Sequence, residues 1–162
     1  MRRFLLLFGG LFALFCGGAE LKTWTFESRR DLLGDRMTFY AASGAVLTHE
    51  LSDEKTPAGE PVLKAVVKQV PAGAPIQSIQ ICFLYRGTLE KGRRYRIQFQ
   101  YRGSQNGEIR IVPAQARAPF APLGKNTSPV LSVSPEWQTC TLDFVAERAP
   151  DGPYALPRMM LG

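Results

Sequence analysis

Read two residues at a time, much of this chain alternates between apolar and polar side chains. In "YRIQFQYR" one set is Tyr95, Ile97, Phe99 and Tyr101, and the other is Arg96, Gln98, Gln100 and Arg102. Successive side chains of a strand point to opposite faces, so this spacing predicts a strand with one face for a core and an opposite face of amides and guanidiniums. "LKTWTFES" (Leu21 to Ser28) sets Lys22, Trp24 and Phe26 against Leu21, Thr23 and Thr25, and "VLSVSPEWQTCTLDFVAE" sets Cys140, Leu142 and Phe144 against Thr139, Thr141 and Asp143. "TFYAASGAVLTHELS" holds two β-prone pieces broken at Ser43-Gly44, and "VLKAVVKQV" and "SIQICFLYR" are two further strands. Across "GSQNG", Glu108 to Val112 reads as the hairpin partner of the Tyr95–Arg102 strand. Helical spacing is limited to one turn in "SRRDLLGDRM", and the Pro-rich "PAQARAPFAPLGKNTSP" is a loop or an edge excursion. About eight short strands with frequent turns predict an all-β protein, a sandwich or jelly roll.

The first residues break this rhythm. Met1-Arg2-Arg3 is cationic, Phe4 to Phe15 is apolar apart from Gly9 and Gly10, and Gly17-Gly18-Ala19 is small. That is the layout of a secretory signal peptide cleaved after Ala19, leaving residues 20–162 as one domain, secreted or periplasmic. A lipoprotein processed at Cys16 is the rival reading. The run is shorter than the roughly 20 residues that a spanning helix needs, so no stable membrane span is expected. The net charge of +6 comes from basic residues scattered among carboxylates, with no basic stripe to suggest nucleic acid. A monomer is expected.

Candidate chemistry is sparse. The single histidine, His49, alternates with apolar neighbours and cannot make a zinc cluster alone. Cys82 and Cys140 have no CxxC spacing; an exported chain permits a disulfide between them, and the faces of their strands decide it. Glu27, Asp53, Glu54, Glu108 and Asp143 could pair in space as glycosidase carboxylates do, yet nothing in their setting marks two of them. Catalysis and a cofactor are therefore not expected.

"LEKGRRYRIQFQYRG" (Leu89 to Gly103) resembles the element L-x-x-G-x-x-Y-x-x-x-F-x-x-R of cenC-type carbohydrate-binding modules, the family 4/9/22-like group with a galactose-binding-domain-like jelly roll. "VSPEWQTCTLDFVA" is similar to a later strand of the same modules, "WTFES" to their opening, "GEPVLKAVV" to the following strand and "PRMMLG" to the penultimate one. The resemblance implies a jelly-roll β-sandwich that binds a polysaccharide or oligosaccharide without catalysis, in support of glycoside hydrolysis. It also implies a last strand after "LG", which the 20–162 domain either lacks or carries beyond Gly162. It implies a structural calcium near the first and last strands; Glu27 matches the early ligand, and the late Asp has no counterpart.

On this reading Arg96, Gln98, Gln100 and Arg102 form the sugar face, extended by Gln80 and Arg110 on adjacent strands, because amides and guanidiniums match sugar hydroxyls and carboxylates. Tyr85, Trp24, Tyr40, Phe120 and Tyr154 are the candidate aromatic platforms, and Trp137 matches a structural Trp of the family. A solvated sheet face shows the same alternation. Two alternatives thus stand beside the glycan binder: a structural or interaction sandwich, and the front piece of a longer glycoside hydrolase. An exposed aromatic beside Gln98 and Gln100 would favour the binder.

Overall fold

The computed structural model describes residues 4–32, 36–124, 128–148 and 152–161. Eleven strands alternate along these residues with two single 3-10 turns: β1 (Phe4–Cys16), β2 (Ala19–Trp24), β3 (Met37–Ala41), β4 (Val46–Lys55), β5 (Pro61–Gln69), β6 (Ile79–Tyr85), β7 (Arg94–Gly103), β8 (Gly107–Gln115), β9 (Val130–Val133), β10 (Gln138–Val145) and β11 (Tyr154–Met160). They form two antiparallel sheets, ordered β10-β7-β1-β5-β4, with β2 also on β1, and β3-β6-β11-β8-β9. The fold is the expected all-β sandwich.

Alternation decides what lies between the sheets. Ile97, Phe99, Leu63, Leu142 and Phe144 come from the first sheet, and Ile79, Ile81, Phe83, Ile109, Ile111 and Met159 from the second, all in one buried cluster. At one edge Phe39 of β3 stacks flat on His49 of β4, with ring centroids 3.5 Å apart. Trp24 is buried, donates its indole N–H to the Leu84 carbonyl (3.1 Å) and meets Phe83 edge-on.

Three features of the described residues bear on the sequence reading. The segment read as a leader, Phe4–Cys16, is β1, seated between β5 and β7 so that the first sheet runs unbroken from β10 to β4. Leu6, Leu7, Phe8 and Leu14 are buried, and a Cβ on Gly9 would lie 2.5 Å from Thr56 Cγ2 and 2.9 Å from Val62 Cγ2. Second, β8 is not the hairpin partner of β7. Both edges of β7 are taken, by β1 and β10, and the turn after Gly103 carries the chain into the other sheet, where β8 pairs with β11 and β9. Third, the cysteines are free thiols. Cys140 points into the core from β10, where burial pushes its thiol up to about 11, whereas Cys82 lies on the outer face of β6 in the opposite sheet.

Candidate functional site

The second sheet turns Ile79, Ile81 and Phe83 of β6 inward, so Gln80 and Cys82 point outward. Register aligns two outward rows across the strands: Tyr40, Gln80, Met160 and Arg110, then Thr38, Cys82, Arg158 and Val112. The pairing of β11 is irregular between Ala155 and Arg158, where Pro157 has no N–H to give. Beyond it Met159 returns to the core and Arg158 to the outer face.

Two loops wall this face. The segment after β8 folds back through Gln115 N–H to Ala121 O (3.0 Å) and Leu123 N–H to Pro113 O (2.9 Å). Opposite it, Ala45 N–H closes a turn onto Ala42 O (2.9 Å), and Ala42 N–H bonds Ser78 O (2.9 Å), holding Ser43, Pro75 and Gln77 at the rim. Between the walls is a cleft of about 480 Å³. Tyr40 and Phe120 line it with 52% and 50% of their surface exposed, enough to offer a ring face to a ligand.

The backbone and the polar atoms converge on the same place. Ser43 and Phe120 are the non-glycine residues at positive φ among the described residues, both at 55°, and both line the cleft. A bulky residue in that conformation carries strain of order 1–3 kcal/mol, which folds retain mainly at ligand clamps and switches. Ser78 Oγ, Gln115 Oε1 and Arg158 Nε, all of lining residues, are buried without a hydrogen-bond partner. Such atoms cost about 1–3 kcal/mol each unless something completes them. Arg158 is anchored by one bond, Nη2 donating to Phe120 O at 3.1 Å. Burial lowers its pKa, but a guanidinium stays protonated in a protein. Burial raises the Cys82 thiol, against the opposing Thr38 hydrogen bond and Arg158 charge, so it is a protonated part of the floor.

The residues named from the sequence divide between the two sheets. Gln80 stands in the cleft, its amide donating to Gln77 O at 2.8 Å, and Arg110 is exposed on β8 of the same sheet. Neither extends the face of β7, because the chain changes sheets between β6 and β7 and again after Gly103. Arg96, Gln98, Gln100 and Arg102 lie on the outer face of the first sheet. There Arg96 makes a two-pronged ion pair with Asp143 (2.8 and 3.0 Å), and Arg102 pairs with Glu54 while lying 5.2 Å over the Trp137 ring. Gln98 and Gln100 are half-buried between them, and Gln100 Oε1 has no partner. A hollow of about 630 Å³ beside Gln98 is walled by Phe15 to Gly18 and by Arg96 and Asp143, whose charges satisfy each other.

Of the candidate platforms, Trp24 and Tyr154 are buried, and Tyr85 packs on the core, stacked on Tyr154 at 6.3 Å. Tyr40 and Phe120 are the two that reach the cleft. Glu27 is exposed in the bend after β2, and no group of three or more His, Cys, Asp or Glu forms a metal site among the described residues. The next acid, Asp31, is taken by Arg36 and Ser28. Ser43, Gln115 and Arg158 were missed in sequence. For Arg158 a signal existed, a lone cation inside the apolar run "ALPRMML".

No family model matches the chain. No curated protein matches it either. Among solved structures it is similar to one described as "CBM4 structure and function", at 20% identity over 86% of each chain with a TM-score of 0.60. That likeness, with the two antiparallel sheets, shows the fold to be a jelly-roll β-sandwich like that of the structure so described.

Proposed function

We propose that the protein is a non-catalytic carbohydrate-binding module that holds a polysaccharide or oligosaccharide in the cleft on the second sheet. The observation that carries this is the convergence of two half-exposed rings, Tyr40 and Phe120, above a floor of amides and unpartnered polar atoms. A sugar ring has an apolar C–H face for the aromatics and hydroxyls that both donate and accept, which Gln77, Gln80 and Gln115 match. Among the described residues no Asp or Glu lines the cleft, so it offers no carboxylate pair for glycoside cleavage. The structure described as a CBM4 supports the same reading through its fold. Its role is to hold a glycan for a hydrolytic system outside the cytoplasm.

The test is affinity electrophoresis through gels containing neutral and acidic polysaccharides, wild type beside the Tyr40→Ala, Phe120→Ala double variant. About half of a ~200 Å² Tyr side chain is free, and a sugar covering half of that removes about 50 Å² from water, or about 1.3 kcal/mol. Each ring is then worth roughly tenfold in affinity, and the pair up to about a hundredfold. Retardation by a polysaccharide that the double variant loses supports the reading. A folded protein retarded by none of them contradicts it and leaves a structural sandwich.

A further inference from the structure

The polarity of the cleft floor says more about the ligand than that it carries hydroxyls. Arg158 is the one charged side chain that lines the cleft among the described residues, and it sits on β11, the middle strand of the five. No carboxylate lies within ion-pair distance of it among those residues, and its polar neighbours include the Phe120 carbonyl and the Cys82 thiol. A half-buried cation with no counter-charge is expensive to keep, and a neutral side chain of similar volume would ordinarily serve a solvated or structural sheet better. The ion-paired arginines show the contrast: Arg96 has Asp143, Arg102 has Glu54, Arg36 has Asp31 and Arg93 has Glu90. Beside Arg158, Gln115 Oε1 is an acceptor without a donor.

We infer that the cleft selects a carboxylate-bearing glycan, a uronic-acid oligosaccharide or polysaccharide, whose carboxylate pairs with the Arg158 guanidinium while its ring rests on Tyr40 or Phe120. This rests on the carbohydrate-binding reading above. The guanidinium fork matches a planar carboxylate with two parallel hydrogen bonds, which a neutral hydroxyl cannot provide. The Phe120 carbonyl that anchors Arg158 belongs to a residue whose ring lines the cleft, so cation and platform are held in one arrangement. Gln115 supplies the acceptor for a hydroxyl of the same sugar.

The test is titration calorimetry of the full chain with oligogalacturonide, oligoglucuronide and oligomannuronide, each beside the same oligosaccharide after carboxyl reduction. The backbone is then constant and only the charge changes. For the preferred uronide the acidic form should bind about tenfold or more tightly than its reduced counterpart, the ratio expected for one charge-assisted contact. Arg158→Gln should erase that ratio in a protein that still unfolds cooperatively, and Arg158→Lys should restore it only in part. Because the protein is basic, Arg94→Gln and Arg96→Gln on the first sheet serve as charge controls; losses equal to that of Arg158→Gln would overturn the proposal in favour of general attraction. Reduced and acidic forms binding equally well would overturn it too, with glycan binding intact. No binding of any form would sink both this inference and the carbohydrate reading.

Discussion

In the full chain produced without export, Leu14→Ala should destabilise the fold severely, because β1 is a structural strand and Leu14 is fully buried in it. Emptying a buried Leu site costs about 2–5 kcal/mol, set by how far the neighbours collapse. Against a total of about 5–15 kcal/mol for a domain, that is a large fraction. Deleting residues 1–19 goes further. It removes the buried Leu6, Leu7, Phe8 and Leu14 and exposes the facing edges of β5 and β7. At about 1.5–3 kcal/mol for each buried side chain, the four alone amount to roughly 6–12 kcal/mol, comparable with the whole stability. The 20–162 form by itself should therefore lack a cooperative transition, and a secreted form beginning at Glu20 would need another strand in the same slot. The assay is urea unfolding followed by intrinsic fluorescence for wild type, Leu14→Ala and the 20–162 form. An unchanged midpoint for Leu14→Ala, or a 20–162 form as stable as the full chain, would refute the placement of β1.

Gln98→Ala, Gln100→Ala should leave retardation by polysaccharide unchanged, since both lie on the sheet opposite the cleft; affinity electrophoresis beside the Tyr40→Ala, Phe120→Ala variant checks this. Burial holds His49 below its ordinary value of 6.5, so its neutral form is favoured in the fold: that stability is complete above 6.5 and is lost as pH falls through the lowered value. Thermal midpoints at about pH 7.5 and about pH 5 should differ more for wild type than for His49→Gln. Cys140, pushed up to about 11 and 5% exposed, should resist alkylation until the protein unfolds, whereas Cys82 should react slowly in the native state and more slowly still with a bound oligosaccharide.

The sandwich was legible in the sequence because alternation is a local property: β7 and β10 read correctly to the level of individual faces. What alternation does not encode is which strand lies beside which. Gln80 and Arg110 were placed with Gln98 because strands adjacent in sequence were read as neighbours, yet here both the connection from β6 to β7 and the turn after Gly103 cross between sheets. The reading of the β1 segment as a leader has a different origin. A strand buried on both sides reads as a continuous apolar run, which is also what a leader requires, and periodicity alone cannot separate the two. The site was half visible. Tyr40 and Phe120 were candidate platforms on grounds of residue type, and the structure distinguishes them from Trp24 and Tyr154 by exposure. Gln115 lies at the start of a Pro-rich stretch that reads only as a loop, and Arg158 faces the cleft through an irregularity in β11 that no spacing rule predicts.

Chemical-shift mapping of the amide and side-chain resonances during titration with a retained oligosaccharide would test the location of the site most directly. The account predicts saturable shifts at Tyr40, Gln77, Gln80, Gln115, Phe120 and Arg158, with Gln98, Gln100 and Arg102 unmoved. Shifts confined to the β7 and β10 face, with the cleft silent, would contradict it.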